Sequence, residues 1–142
     1  MPTRTAEATW KGSLEDGRGT MKLGSGAFEG PFSFVTRFEN EKGTNPEELI
    51  GAAHAGCFSM AFSAELGKAG FTPERVHTTA QVHLEKTEGG FAITRVQLAM
   101  DAKIPEIEEK AFREIAERAK TNCPVSKVLA GAKIELQAKL TR

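Results

Sequence analysis

The chain has 142 residues, with nineteen basic side chains balancing nineteen acidic ones. That balance leaves no electrostatic footprint for nucleic acid or an anionic membrane surface, and neither is expected as a partner. The length suits a single domain over 1–142 that buries its own core without disulfide staples.

The opening residues, "MPTRTAEATWKG", show no apolar run after their charges, so the reading expects no secretory signal and a cytoplasmic protein. The first forty residues are rich in Gly and alternate polar with apolar residues in "AEATW", "GTMKL" and "FSFVTRF". Three strands joined by Gly-containing turns are expected there.

A helix start follows. Asn45 offers an N-cap, Pro46 takes the first helical position, and Glu48 stands where a capping box is completed. Gly70, Phe71 and Pro73 supply the stop, so a helix is predicted over about 46–69. Gly51, Ala52, Ala53, Ala55, Gly56, Ala61 and Ala64 give it little side chain, which lets other backbones approach closely. A helix apolar nearly all round is a buried one, and part of its cover is expected from a second subunit. Its uncharged stretch, Leu49 to Ala64, is sixteen residues, short of the roughly 20 of a membrane span.

"VHTTAQVHL" and "FAITRVQLAM" alternate on either side of "EKTEGG" and predict a hairpin turning near Gly89 and Gly90. Val76, Thr78, Ala80, Val82 and Leu84 form its inward set, while His77 and His83 face outward. Ile107, Ala111, Ile115, Ala116 and Ala119 recur at helical spacing and predict an amphipathic helix over about 106–121. "NCPVSKVLAG" gives a short helix with Pro124 at its first position, and "KIELQAKL" a closing strand. The fold class is α+β, with a largely antiparallel sheet and a long buried central helix.

Chemistry rests on two cysteines, Cys57 and Cys123, 66 positions apart. Free cysteine is among the most buried residue types, so both are either inert core or reactive. His54 lies three residues before Cys57 on one helical face, a spacing that fits a metal pair, a base beside a thiol, or a hydrogen-bonded core imidazole. Cys123 precedes Pro124 at an expected N-cap, where free N–H groups favour a thiolate, so local physics nominates Cys123 as the nucleophile.

"HAGCF" on the central helix, "NCP" at a helix start and "TRFENEKGTNPEEL" before the first helix together resemble the osmotically inducible protein C and organic hydroperoxide resistance (OsmC/Ohr) family. "EKGTNPEELIGAAHAGCFSMA" and "CPVSKVL" look more like the OsmC branch. The resemblance covers nearly the whole chain. It implies an intertwined homodimer with composite sites and a cysteine-based peroxidase of stress defence that needs no cofactor. Cys57 would attack an organic hydroperoxide and become a sulfenic acid, and Cys123 would resolve it to a disulfide that a dithiol, such as a dihydrolipoyl protein, reduces. Arg37 matches the family's thiolate-activating arginine, Glu47 the glutamate that orients it, and Phe58 is a candidate wall of an apolar substrate pocket.

Glu47 and Cys57 are ten residues apart, about 15 Å along a helix. A compact site therefore needs either a long Arg spanning the gap or a Glu47 from another chain, which antiparallel central helices in an isologous dimer would supply. Two rival readings stand beside the peroxidase: a metal-binding module using His54, Cys57 and Cys123, and a non-catalytic small-molecule carrier.

Overall fold

The Gly-rich N-terminal stretch folds, in the computed structural model of residues 2–141, as an antiparallel meander. Its strands are β1 (Ala6–Lys11), β2 (Arg18–Leu23) and β3 (Glu29–Phe32). Gly19 is the small residue over which Trp10 and Phe32 meet. A Cβ there would lie 2.5 Å from Phe32 Cε1 and 2.7 Å from Trp10 Cε3, and the two rings are 5.4 Å apart.

The third expected strand, "FSFVTRF", is only partly a strand. Helix α1 (Phe34–Phe38) takes its second half. The alternation of apolar and polar residues is overridden by a capping box. The Thr36 N–H donates to Ser33 Oγ, and the Ser33 N–H donates to Thr36 Oγ1 at 2.8 Å. Two otherwise orphaned donors are satisfied reciprocally, which favours a helix start at that point. Arg37 consequently sits on a helical turn instead of a strand end.

Helix α2 (Pro46–Lys68) begins as expected, with the Glu48 N–H donating to Asn45 Oδ1 at 2.8 Å. The Glu48 carboxylate instead accepts from Thr44 Oγ1. The helix ends at Gly70, whose φ of 89° is the left-handed turn that glycine adopts without strain. The Phe71 N–H returns to the Leu66 carbonyl at 2.9 Å.

The chain divides into two compact units, one ending at Leu49 and one beginning at Ile50. The second unit carries the long hairpin β4 (Arg75–Thr87) and β5 (Gly90–Lys103), then α3 (Glu109–Asn122), α4 (Pro124–Val128) and β6 (Lys133–Thr141). Its sheet runs β4-β5-β6. The hairpin is antiparallel, but β6 lies parallel to β5, with the α3–α4 segment as the crossover that a parallel neighbour requires. The second sheet is therefore mixed.

Leu84 pairs with Ile93 and His83 with Arg95, which leaves Thr94 as an extra residue on β5. That bulge reverses the parity of β5, so Ile93 before it and Val96, Leu98, Met100 and Ala102 after it pack in the same core. The inward set of β4 is half-buried, as expected. Its contacts with α2 are close: Ser59 Oγ is 2.7 Å from Thr78 Oγ1, and a Cβ on Gly51 would lie 3.4 Å from Val82 Cγ2. On the outer face His77 is exposed, and His83 Nε2 is hydrogen-bonded to Gln97 Oε1 at 2.7 Å.

Helix α3 starts three residues later than expected, because Glu106 adopts a φ of 66° and interrupts the backbone before it. Ile107 is buried all the same, ahead of the helix.

By length and composition α2 could cross a membrane, but one stripe of it builds this core. Phe58, Phe62 and Leu66, four residues apart, are fully buried. The Phe62 ring stacks with Phe58 at 6.2 Å and meets Phe112 of α3 edge-on at 5.7 Å. Glu65, on the same side, is held by Lys68 at 3.1 Å and Arg118 of α3 at 3.3 Å. The opposite stripe, with Ala52, Ala53, Gly56, Met60, Ser63 and Gly67, is exposed in the single chain.

Because Phe62 is the ring through which α2 and α3 meet, Phe62→Ala is expected to lower unfolding stability by about 3–5 kcal/mol. Urea denaturation at fixed protein concentration measures it.

Candidate active site

The first unit builds a rigidly held cation. Arg37, in the last turn of α1, presents one edge of its guanidinium to Glu47. Nε donates to Oε1 and Nη2 to Oε2, each at 3.1 Å. The segment between them folds back on α1, with Asn45 Nδ2 donating to the Thr36 carbonyl at 3.0 Å and the Thr44 N–H to the Pro31 carbonyl at 3.2 Å. These bonds carry Glu47, at the first turn of α2, to Arg37. The Glu47 side chain is 10% exposed against 39% for Arg37, so the carboxylate is the buried anchor and the guanidinium the accessible partner. A bidentate pair of this kind fixes the plane of the guanidinium as well as its position.

Beside this pair lies an apolar pocket of about 260 Å³, which Arg37 shares with Trp10, Leu14, Phe32, Phe34 and Phe38. Phe34 and Phe38 are 4.9 Å apart, and the Arg37 guanidinium lies 5.4 Å from the Phe38 ring centre, a cation–π contact.

The second unit holds the sulfur chemistry. Cys57 on α2 and Cys123 between α3 and α4 are free thiols. Their Sγ atoms are 2.8 Å apart, with Cys123 donating to Cys57. A disulfide bond is about 2.05 Å long, so less than an ångström separates this contact from a covalent bond. Cys123 is fully buried and Cys57 half-buried.

Cys123 stands at the N-cap of α4, as its place before Pro124 predicts, but its side chain makes no capping bond. The helix-start donor goes to the other cysteine, since the Val125 N–H bonds the Cys57 sulfur. Burial pushes the Cys57 thiol above its ordinary 9.0, and its close contact with Cys123 pushes it further in the same direction. The Val125 N–H acts in the opposite direction. Within its own unit, then, Cys57 is a thiol held against ionisation, and its activation requires a cation.

His54, one turn before Cys57, is fully buried, with Nε2 2.8 Å from Ser126 Oγ on α4. Burial pushes its imidazole below the ordinary 6.5, so it is neutral at neutral pH. Its Nδ1 has no hydrogen-bond partner among the described residues. Among the described residues no three His, Cys, Asp or Glu side chains gather as a metal-binding group. Phe58 points into the core against Phe62, backing Cys57 from the inside.

The structure thus brings Cys57 to Cys123 in one unit and Arg37 to Glu47 in the other. Sequence reasoning missed Val125, Ser126 and the aromatic pocket. Ser126 had one available signal, its place three residues after Cys123 on the same short helix.

A family model described as OsmC-like protein matches residues 39–138, a span that includes Glu47, Cys57, Phe58 and Cys123. The chain is 52% identical to the peroxiredoxin OsmC of Escherichia coli (strain K12) over 127 residues, 89% of each chain. It is 34% identical to the organic hydroperoxide resistance protein OhrB of Bacillus subtilis (strain 168) over 104 residues, 70% of this chain and 74% of that one. The crystal structure of Bacillus subtilis OhrB superposes with a TM-score of 0.69 at 25% identity, over 96% of this chain and 98% of that one. An OsmC-like protein from Mycoplasma pneumoniae shares the fold at a TM-score of 0.78 and 16% identity, over 99% of both chains. On the family match and the identity to its relatives, the chain belongs to the OsmC-like protein family.

Proposed function

We propose that this protein is a cysteine-based peroxidase that reduces organic hydroperoxides, ROOH, to alcohols. The observation that carries the reading is the 2.8 Å approach of Cys57 and Cys123. Cys57 thiolate attacks the distal peroxide oxygen and the O–O bond breaks. The alkoxide leaves with a proton as ROH, and Cys57 becomes a sulfenic acid. The Cys123 thiol then attacks that sulfur, water leaves, and a disulfide remains. A dithiol of the dihydrolipoyl type returns both thiols by exchange and is itself oxidised. The cycle balances without a metal or organic cofactor, and it suits a cytoplasmic protein of oxidative stress defence, where such reductants are held reduced. The relatives' names, a peroxiredoxin and an organic hydroperoxide resistance protein, support the same chemistry.

Arg37 supplies the cation that the Cys57 thiolate lacks and polarises the peroxide, while Glu47 holds Arg37 in plane. Glu47 and Cys57 lie ten residues apart in one sequence, about 15 Å by helical rise, so the arrangement that best serves the chemistry is a homodimer. In it, Arg37 and Glu47 of one chain meet Cys57 of the other, and all 142 residues work as one functional domain. The exposed small-residue stripe of α2 supports this, because it lets a second helix approach closely. The organic group of the substrate enters the aromatic pocket beside Arg37, and Phe58 stiffens the site from the core. At about 0.8 kcal/mol per buried CH₂, a four-carbon tail favours an alkyl hydroperoxide over hydrogen peroxide on the order of 10²-fold.

Stopped-flow oxidation of the reduced protein tests the function directly. It is expected to be faster with an alkyl hydroperoxide than with hydrogen peroxide and to end in a Cys57–Cys123 disulfide by peptide mass spectrometry. Slow oxidation without that disulfide removes the reading. Arg37→Met is expected to slow the first step by about 10²–10³-fold at neutral pH. It should also move the pH–rate profile to more alkaline pH, because the raised Cys57 pKa is then uncompensated. Glu47→Gln is expected to cost about 10–100-fold, the usual effect of removing a group that orients a catalytic one. Mixing inactive Cys57→Ser and Arg37→Met proteins should restore one working site per mixed dimer. Absence of recovery, with mixed dimers confirmed by native mass spectrometry, would place each Arg37 on its own chain's Cys57.

A further inference from the structure

Besides the Val125 N–H on the Cys57 sulfur, two side-chain contacts join α2 to the α4 segment, and they form a ladder. His54 meets Ser126 and Cys57 meets Cys123, each pair at 2.8 Å. The partners are three residues apart on both sides, so the two segments run antiparallel and the rungs stand one turn apart. Both residues of the His54–Ser126 rung are buried, His54 completely and Ser126 at 6% exposure. The α4 helix has five residues and no side-chain cap, far below the length at which a helix holds itself. Val125 and Leu129 pack against the core, but apolar contacts tolerate sliding, and Val128 at the end of α4 is 83% exposed. Apart from the two sulfurs and the Val125 N–H, the His54–Ser126 bond is the polar contact that fixes α4 along α2 among the described residues.

His54 keeps that bond although its Nδ1 is buried with no hydrogen-bond partner among the described residues, a cost that a purely apolar residue would avoid.

We infer that His54, through Ser126, is a positioning residue for the resolving step, holding Cys123 over Cys57 so that the sulfenic acid is captured as a disulfide. The peroxide step acts at Cys57 with Arg37 and does not use this rung. The resolving step, Cys57–SOH plus Cys123–SH giving disulfide plus water, depends on the proximity that the rung provides. Loss of the rung should therefore divide the two steps and lengthen the life of the sulfenic acid, diverting it to sulfinic acid when peroxide is in excess.

The test uses the full chain with Ser126→Ala, His54→Gln and Ser126→Thr, the last retaining the hydroxyl. In single turnover, Ser126→Ala and His54→Gln are expected to keep the peroxide step within about threefold and to slow disulfide formation about tenfold or more. More sulfinic Cys57 should accumulate in both, and Ser126→Thr should restore the disulfide rate. The kinetic arm rests on the peroxidase reading, so a second arm does not use peroxide. Equilibration against a dithiol–disulfide buffer should show the Cys57–Cys123 couple easier to reduce in Ser126→Ala, by about 30 mV for a tenfold loss of effective concentration. A shifted potential in a protein that peroxide does not oxidise would overturn the peroxidase reading and keep the rung. Folded variants with unchanged disulfide rate and potential would overturn the rung, and so would equal slowing of both steps, the mark of a merely structural role.

Discussion

A half-buried thiol that must ionise in the proposed reaction is the constraint on which this structure turns. Burial pushes the proton affinity of Cys57 up. Among the described residues of its unit, the neighbour that acts the other way is the Val125 N–H, a partial charge. A full positive charge is present in the chain, but it is locked to Glu47 in the other unit. Arg37 is thus held as a pre-aimed plane, without the entropy cost of ordering a free side chain. In the proposed dimer, that separation of thiol and cation would make activation a property of assembly.

The central helix resolves two demands through one periodicity. Along one stripe, Phe58, Phe62 and Leu66 fill the core with His54 and Glu65 as polar fixtures. Along the other, small residues leave the backbone bare. Cys57 stands between the stripes, half-buried, where it touches both Cys123 and the accessible side. A cysteine one position further into the core stripe would meet only apolar neighbours, and one on the outer stripe would lose Cys123.

Elements with strong punctuation were legible in the sequence. Asn45 and Pro46 opened α2 and Gly70 closed it, and the two alternating runs gave the hairpin with its correct inward face. The misread elements had signals that compete. "FSFVTRF" alternates like a strand, yet the Ser33 and Thr36 side chains satisfy the backbone better as a helix start. The parallel seating of β6 depends on where the α3–α4 crossover deposits the chain, which no local pattern records. In the site, resemblance paired Cys57 with Cys123, while local physics assigned the helix-start donor to the wrong sulfur. The His54–Ser126 rung joins residues 72 positions apart and was beyond any spacing argument.

The unequal burial of the two sulfurs would give the reductive half of the proposed cycle a direction. In the single chain Cys123 is sealed at 0% exposure while Cys57 retains access to solvent. Once the two are joined in the proposed disulfide, a thiolate arriving from outside reaches the Cys57 sulfur and bonds to it, while Cys123 leaves as thiolate along the line of the broken bond. Exchange of this kind is in-line, so the same burial that shields Cys123 from oxidants also makes it the leaving group. In the proposed cycle the electrons would enter through the sulfur that first met the peroxide, and one opening in the protein would serve both oxidant and reductant in turn.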